Sequence, residues 1–211
     1  MAIKKSLPPH SSQVTGTRYC YLENRIAPAK ELKVACAGRE NCEPGYLVER
    51  DGFPCFGMEF VADGTGQLVL NGRSYPLRSG LVFCYGPGVS QRIHNDAGRP
   101  MTKYFVDFFG REAGELFRGG DFGPGAVVEI PDAGTFRFLF DQLLAEGSGD
   151  ARESAGICAA YLRLMLMKAA GGITPALRTS PAALAQFHRC IDLIDTRYLE
   201  LRDLNDVAAA L

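Results

Sequence analysis

The chain has 211 residues, 46% of them hydrophobic, and a formal net charge of -1. That length and composition support one good core with a smaller helical annex and exclude a disordered chain. Near-neutral charge gives no global nucleic-acid footprint, so any DNA contact must come from a local surface or from residues beyond Leu211. The start, MAIKKSLPPHSS, lacks the apolar stretch of a signal peptide, and no run is long enough to span a bilayer, which points to a cytoplasmic protein with no membrane partner.

Residues 1 to about 20 are polar, with Pro8, Pro9, Ser11 and Ser12, and read as an arm leading into the first strand. From Leu32 to Phe109 turn signals recur at short intervals, among them Asp51-Gly52, Asp63-Gly64, Ser79-Gly80 and Gly86-Pro87-Gly88. Between them lie β-rich segments such as FGMEFVA, LVFCY and TKYFVDFF, the spacing of an antiparallel sandwich or barrel. Asn71-Gly72 is the strongest local signal, because a type I′ hairpin turn needs positive φ at both positions, so QLVL and RSYPL are expected to pair across it. TKYFVDFF is apolar on both faces, as for a strand between the barrel interior and a covering element.

Beyond residue 110 the period changes. Asp132 to Glu146 carries Phe136, Leu139, Phe140, Leu143 and Leu144 at helical spacing. Ala151 to Ala170 repeats it with Ile157, Tyr161, Leu164, Met165 and Lys168, so an antiparallel helical pair is expected, joined by the short turn Gly147-Ser148-Gly149. More apolar surface is present than one barrel face needs, so Tyr161, Leu164, Met165 and Lys168 are read as a homodimer seam. Ser180-Pro181 is a plausible N-cap and first helical residue for an amphipathic helix through Leu201, and Asp203 restarts a helix on VAAAL. The seven cysteines are scattered without a CxxC pair and read as free thiols, while His10, His94 and His188 are too far apart to form an obvious triad or chelate.

Gly80, Gly86, Gly88, Gln91 and Asn95 fall in a frame that resembles the second motif of the cupin β-barrel family, with the proline replaced by Gly86 and the histidine by Gln91. Gly64 sits where the first cupin motif closes. The resemblance implies a mainly β, cupin-like (double-stranded β-helix) barrel over residues 21–110, followed by C-terminal α structure. At the positions where metal-binding members carry His, His, Glu and His, this chain has Asp51, Phe53, Gly57 and Gln91, a set that cannot make an imidazole and carboxylate metal site. No metal and no cofactor is expected. If Gly57 is inward, strand alternation turns Glu59 and Val61 inward too, and Gln91 is inward by the same analogy. Glu59 and Gln91, with Tyr85, Asp107 and Arg25 as weaker candidates, are the expected effector-binding residues, and His94, of opposite parity to Gln91, is expected to point away.

The stretch IDLIDTRYLELRDLNDVAAAL, from Ile191 to Leu211, resembles the opening of the DNA-binding domain of AraC-type transcription regulators, matched at Tyr198, Leu204, Asp206, Val207 and Ala208. That resemblance implies an effector barrel, a helical dimerisation element over 111–175, and a helix-turn-helix domain beginning at 180–211 and cut short at Leu211. Its partners would be a small molecule, a sugar by analogy, a second copy of the chain, and operator DNA in the full-length protein only. The rival is a metal-free cupin enzyme, such as a sugar isomerase or epimerase, with Glu59 or Asp107 as general base. A barrel serving only as a dimer platform is the third reading.

Overall fold

The structure, a computed structural model, describes residues 5–6, 11–118, 122–149, 153–172, 189–190, 193–194 and 203–209. Residues 1–173 form one compact unit and 174–211 a second. Among the described residues of the first unit are twelve strands: β1 (Lys5–Ser6), β2 (Val14–Tyr21), β3 (Arg25–Ile26), β4 (Lys33–Cys42), β5 (Leu47–Asp51), β6 (Phe56–Asp63), β7 (Thr65–Leu70), β8 (Arg73–Arg78), β9 (Leu81–Tyr85), β10 (Ser90–Asn95), β11 (Thr102–Phe109) and β12 (Val127–Glu129). The hairpin turn folds as its residues require, with φ of 46° at Asn71 and 76° at Gly72, and Leu70 stands opposite Arg73 across it.

The strands form two main antiparallel sheets, one of order β5-β10-β7-β8 and one of order β12-β9-β6-β11-β4-β2. This is the mainly β, cupin-like architecture, and the helices follow it. Strand β11 lies in the middle of the larger sheet and is buried on both faces from Lys103 to Phe109. Alternation along it decides what each face sees: Lys103, Phe105 and Asp107 line the space between the sheets, while Tyr104, Val106 and Phe108 belong to the core beneath the helices.

The helices are α1 (Arg111–Arg118), α2 (Ala133–Gly147) and α3 (Ser154–Gly171), and in the second unit α4 (Leu204–Ala209). Asp132 caps α2, accepting a 2.9 Å hydrogen bond from the Thr135 backbone N–H. The apolar stripe of α2, Phe136, Leu139, Phe140, Leu143 and Leu144, is buried against the sheet as its spacing predicts. Phe140 stacks on Phe60 with ring centroids 6.1 Å apart and planes within 8°. Helices α2 and α3 pack together as expected, and all their termini but the start of α3 fall within one residue of the expected spans.

Three differences from the sequence reading have plain causes. Residues 14–20, expected within the arm, form most of the edge strand β2, because pairing with β4 supplies backbone partners that a polar side-chain pattern does not advertise. Helix α1 and strand β12 went unread, since REAGELFR has only two large apolar residues and β12 only three residues in all. Met165, read as part of a dimer seam, is fully buried in the core of its own chain, because α3 turns Cys158, Leu162, Met165, Leu166 and Ala169 inward. The expected helix from Ser180 to Leu201 lies mostly outside the described residues; Asp203 and α4 stand where the restart was read.

Replacing Phe140 with Ala removes a ring packed against Phe60, Tyr104 and Phe136, and is expected to cost about 3–5 kcal/mol, read as a lowered urea midpoint with an unchanged slope.

Candidate functional site

Between the two sheets lies a small cavity of ≈ 20 Å³, about the room one water needs. Its lining is polar for a β-barrel interior: Glu40, Glu59, Lys103, Asp107, Arg50, Tyr46 and Tyr85, with Ser11 from the segment before β2. Lys103 Nζ is 2.8 Å from Glu40 Oε2 and 2.9 Å from Glu59 Oε2, and all three side chains are about 3–4% exposed. Tyr85 donates its hydroxyl to Glu59 Oε1 at 3.1 Å, and Tyr19 donates to Glu40 Oε1 at 2.9 Å. The ammonium also stands 5.4 Å from the ring centroids of Tyr46 and Phe105. Burial alone disfavours its charge, but Glu59, Tyr46 and Glu40 more than offset this and hold the Lys103 pKa well above its ordinary value.

Asp107 sits differently. The Cys36 thiol donates to its Oδ2 at 3.4 Å, and its Oδ1 has no hydrogen-bond partner among the described residues. Burial pushes its pKa up to about 7, against the pull of the Cys36 thiol, Arg50 and Lys103. Burial likewise raises the Tyr85 phenol well above its ordinary value, reinforced by Glu59 and Asp107.

Glycine 57 explains why the metal position is closed. A Cβ there would come within 2.3 Å of the Tyr85 ring, so the absence of a side chain admits that ring, and Phe53 meets it edge-on with centroids 5.1 Å apart. Asp51 is exposed. The residues at the metal-ligand frame therefore do not fit a metal, and among the described residues no three His, Cys, Asp or Glu side chains converge on one.

Of the expected site residues, Glu59, Tyr85 and Asp107 line the cavity together. Gln91 is inward and 3% exposed, yet it lies outside that lining, and neither atom of its amide has a partner among the described residues. Arg25 is exposed on β3, where its backbone pairs with Ser6, and it does not reach the cavity. His94 is half-buried with Nδ1 3.3 Å from the Asn95 carbonyl. Asn95 closes the motif mechanically: its side chain donates to the Glu43 carbonyl at 2.6 Å and accepts from the Met101 N–H at 3.2 Å. Sequence reasoning missed Glu40, Arg50 and Lys103. Lys103 was within reach, since it shares the parity of Phe105 and Asp107 in TKYFVDFF; Glu40 and Arg50 needed the pairing of β4 and β5.

Two facing sheets with a buried polar centre, followed by a helical pair, define a cupin-like domain. Residues 33–166 match the family described as AraC-like ligand binding domain, and the chain belongs to that family, which implies a small-molecule effector. No curated protein matches the sequence. Among solved structures it is similar to the cupin domain of an XRE family transcriptional regulator from Enterobacter cloacae, at 15% identity over 36% of this chain and 82% of that one, with a TM-score of 0.33. A predicted oxalate decarboxylase from Thermotoga maritima is 24% identical over 36% of this chain and 68% of that one, with a TM-score of 0.32. Salicylate 1,2-dioxygenase from Pseudoaminobacter salicylatoxidans is 14% identical over 47% of this chain and 26% of that one, with a TM-score of 0.35. Among the described residues no helix is long and apolar enough to cross a membrane.

Asp107 makes a pH-dependent prediction. Between its ordinary value of 3.8 and its folded value of about 7 the native state holds a proton that the unfolded state has released, so rising pH through that window costs stability, and the loss is complete above about 7. Asp107→Asn keeps the shape and removes the titration. It is expected to stabilise the protein more, relative to the unsubstituted chain, at pH 8 than at pH 4, measured by urea unfolding at both.

Proposed function

We propose that this chain is the effector-sensing and dimerisation part of an AraC-type DNA-binding transcription regulator, and that its effector is a small polar molecule of the sugar class bound between the sheets without a metal. The single observation that carries the reading is the charged centre Glu40, Lys103, Glu59 and Asp107 inside a domain of the AraC-like ligand binding family. Charges taken out of water cost several kcal/mol each unless paired, and a polyhydroxyl ligand supplies both donors and acceptors to such a centre. At ≈ 20 Å³ the cavity is far smaller than a sugar, so binding requires the sheets or the segment around Ser11 to move apart. An effector that favours the opened arrangement shifts the balance between two states of the domain.

The enzyme reading has less support. Glu59 is held by Lys103 and Tyr85, and among the described residues no histidine lines the cavity to accept or return a proton. A sugar and metabolite panel read by thermal shift separates the readings: a saturable rise in melting temperature, lost in Glu59→Gln, is expected for an effector site. Chemical conversion of any panel member would replace the sensor with an enzyme, and no saturable shift at all would leave the domain as a dimer platform.

Dimerisation is proposed through the outer face of α3. Ile157, Leu164 and Met167 are 39%, 42% and 61% exposed, and with Ala160 they follow the three- and four-residue steps of a helix-helix seam. Tyr161 and Lys168 flank that face; Met165 does not join it. Leu164→Glu is expected to convert a dimer to monomers in sedimentation equilibrium, whereas a dimer that survives would place the interface elsewhere.

A further inference from the structure

On the other face of the larger sheet, against α2, lies a second cavity of ≈ 420 Å³ lined by Arg18, Arg39, Arg137, Asp63, Asp141, Thr102 and Tyr104. It is separate from the space between the sheets, because alternation along β11 sends Lys103 one way and Tyr104 the other. Its volume is within the range of small-molecule sites.

The placement of its arginines is unusual. Arg18 of β2 stands directly opposite Arg39 of β4, and Tyr104 of β11 stands opposite Arg39 on the far side. Like charges directly opposite each other destabilise a sheet. Arg137 from α2 adds a third guanidinium, fixed by a 3.0 Å hydrogen bond from Nη2 to the Ala62 carbonyl. Among the described residues none of the three forms an ion pair. Asp141, four residues along α2 from Arg137, accepts instead from the Tyr104 hydroxyl at 3.0 Å, and Asp63 accepts from the Gly64 N–H at 2.7 Å.

We infer that this cavity is a second binding site, for a small phosphate monoester bearing hydroxyl groups. Guanidinium groups take phosphate oxygens in a fork, which relieves the repulsion between Arg18 and Arg39. The free lone pairs of Asp63 and Asp141 and the Thr102 hydroxyl suit the hydroxyls at the other end. A ligand held there bridges the sheet and α2, the helix that packs on α3, and so bears on the helical pair without entering the space between the sheets. The inference does not depend on the effector class proposed for that space.

The test is calorimetric titration of the whole chain with glycerol phosphate, inorganic phosphate, glycerol and succinate at moderate salt. Glycerol phosphate is expected to bind saturably and more tightly than inorganic phosphate, with no heat from glycerol. Arg39→Gln and the exposed Arg18→Gln are each expected to weaken it about tenfold or more, with Arg39→Lys in between because an ammonium keeps the charge and loses the fork. Arg73→Gln, which removes an exposed cation on β8 outside the cavity, is expected to change nothing. Thermal melts of the variants check that each is folded. Absence of saturable binding, or an equal loss in Arg73→Gln, would overturn the site, and tighter binding of succinate than of glycerol phosphate would overturn the ligand class.

Discussion

A chain of polar contacts through Lys103 ties the larger sheet together. Read across neighbouring strands, it runs from Tyr85 on β9 to Glu59 on β6, Lys103 on β11, Glu40 on β4 and Tyr19 on β2. Buried ion pairs add little net stability, because desolvation cancels most of their attraction, but a lone buried charge is very costly. Each of these strands is therefore held to one register. A slip by one residue would turn Glu59 into the apolar layer beneath α2, where Phe60, Phe136 and Phe140 offer no counter-charge.

The same constraint organises the space between the sheets. Gly57 admits the Tyr85 ring, Phe53 meets that ring edge-on, and the Tyr85 hydroxyl reaches Glu59. The glycine at one position of the cupin metal frame and the charged centre are thus connected through one side chain, Tyr85. Asp107, in the lining, and Gln91, outside it, carry polar atoms that nothing among the described residues satisfies, which is uncommon for buried groups and marks where a polar ligand has most to offer.

The helices extend this logic outward. Helix α2 seals the sheet with Phe136, Phe140 and Leu143, while α3 divides its residues between the core and an exposed apolar face. On the proposed reading, a change in spacing between the sheets would pass through packed side chains, because a close-packed core shifts as blocks. Sensing and assembly would then share one rigid layer.

The sequence by itself determined the local events. Asn71-Gly72 fixed a hairpin, the apolar period of 132–146 fixed a helix and its buried face, and the glycine frame around Gly80 and Gly88 marked the cupin-like turns, all because backbone sterics and side-chain period act over a few residues. It also gave Glu59 its inward parity. Only the tertiary structure decided which inward groups meet. Lys103 and Glu40 are 63 positions apart in sequence and become partners through the pairing of β11 with β4, and Arg18 meets Arg39 only because β2 joins that same strand. Met165 and Leu164 are neighbours in sequence with opposite fates, one in the core and one exposed, because the rotation of α3 is set by what it packs against and not by its own composition.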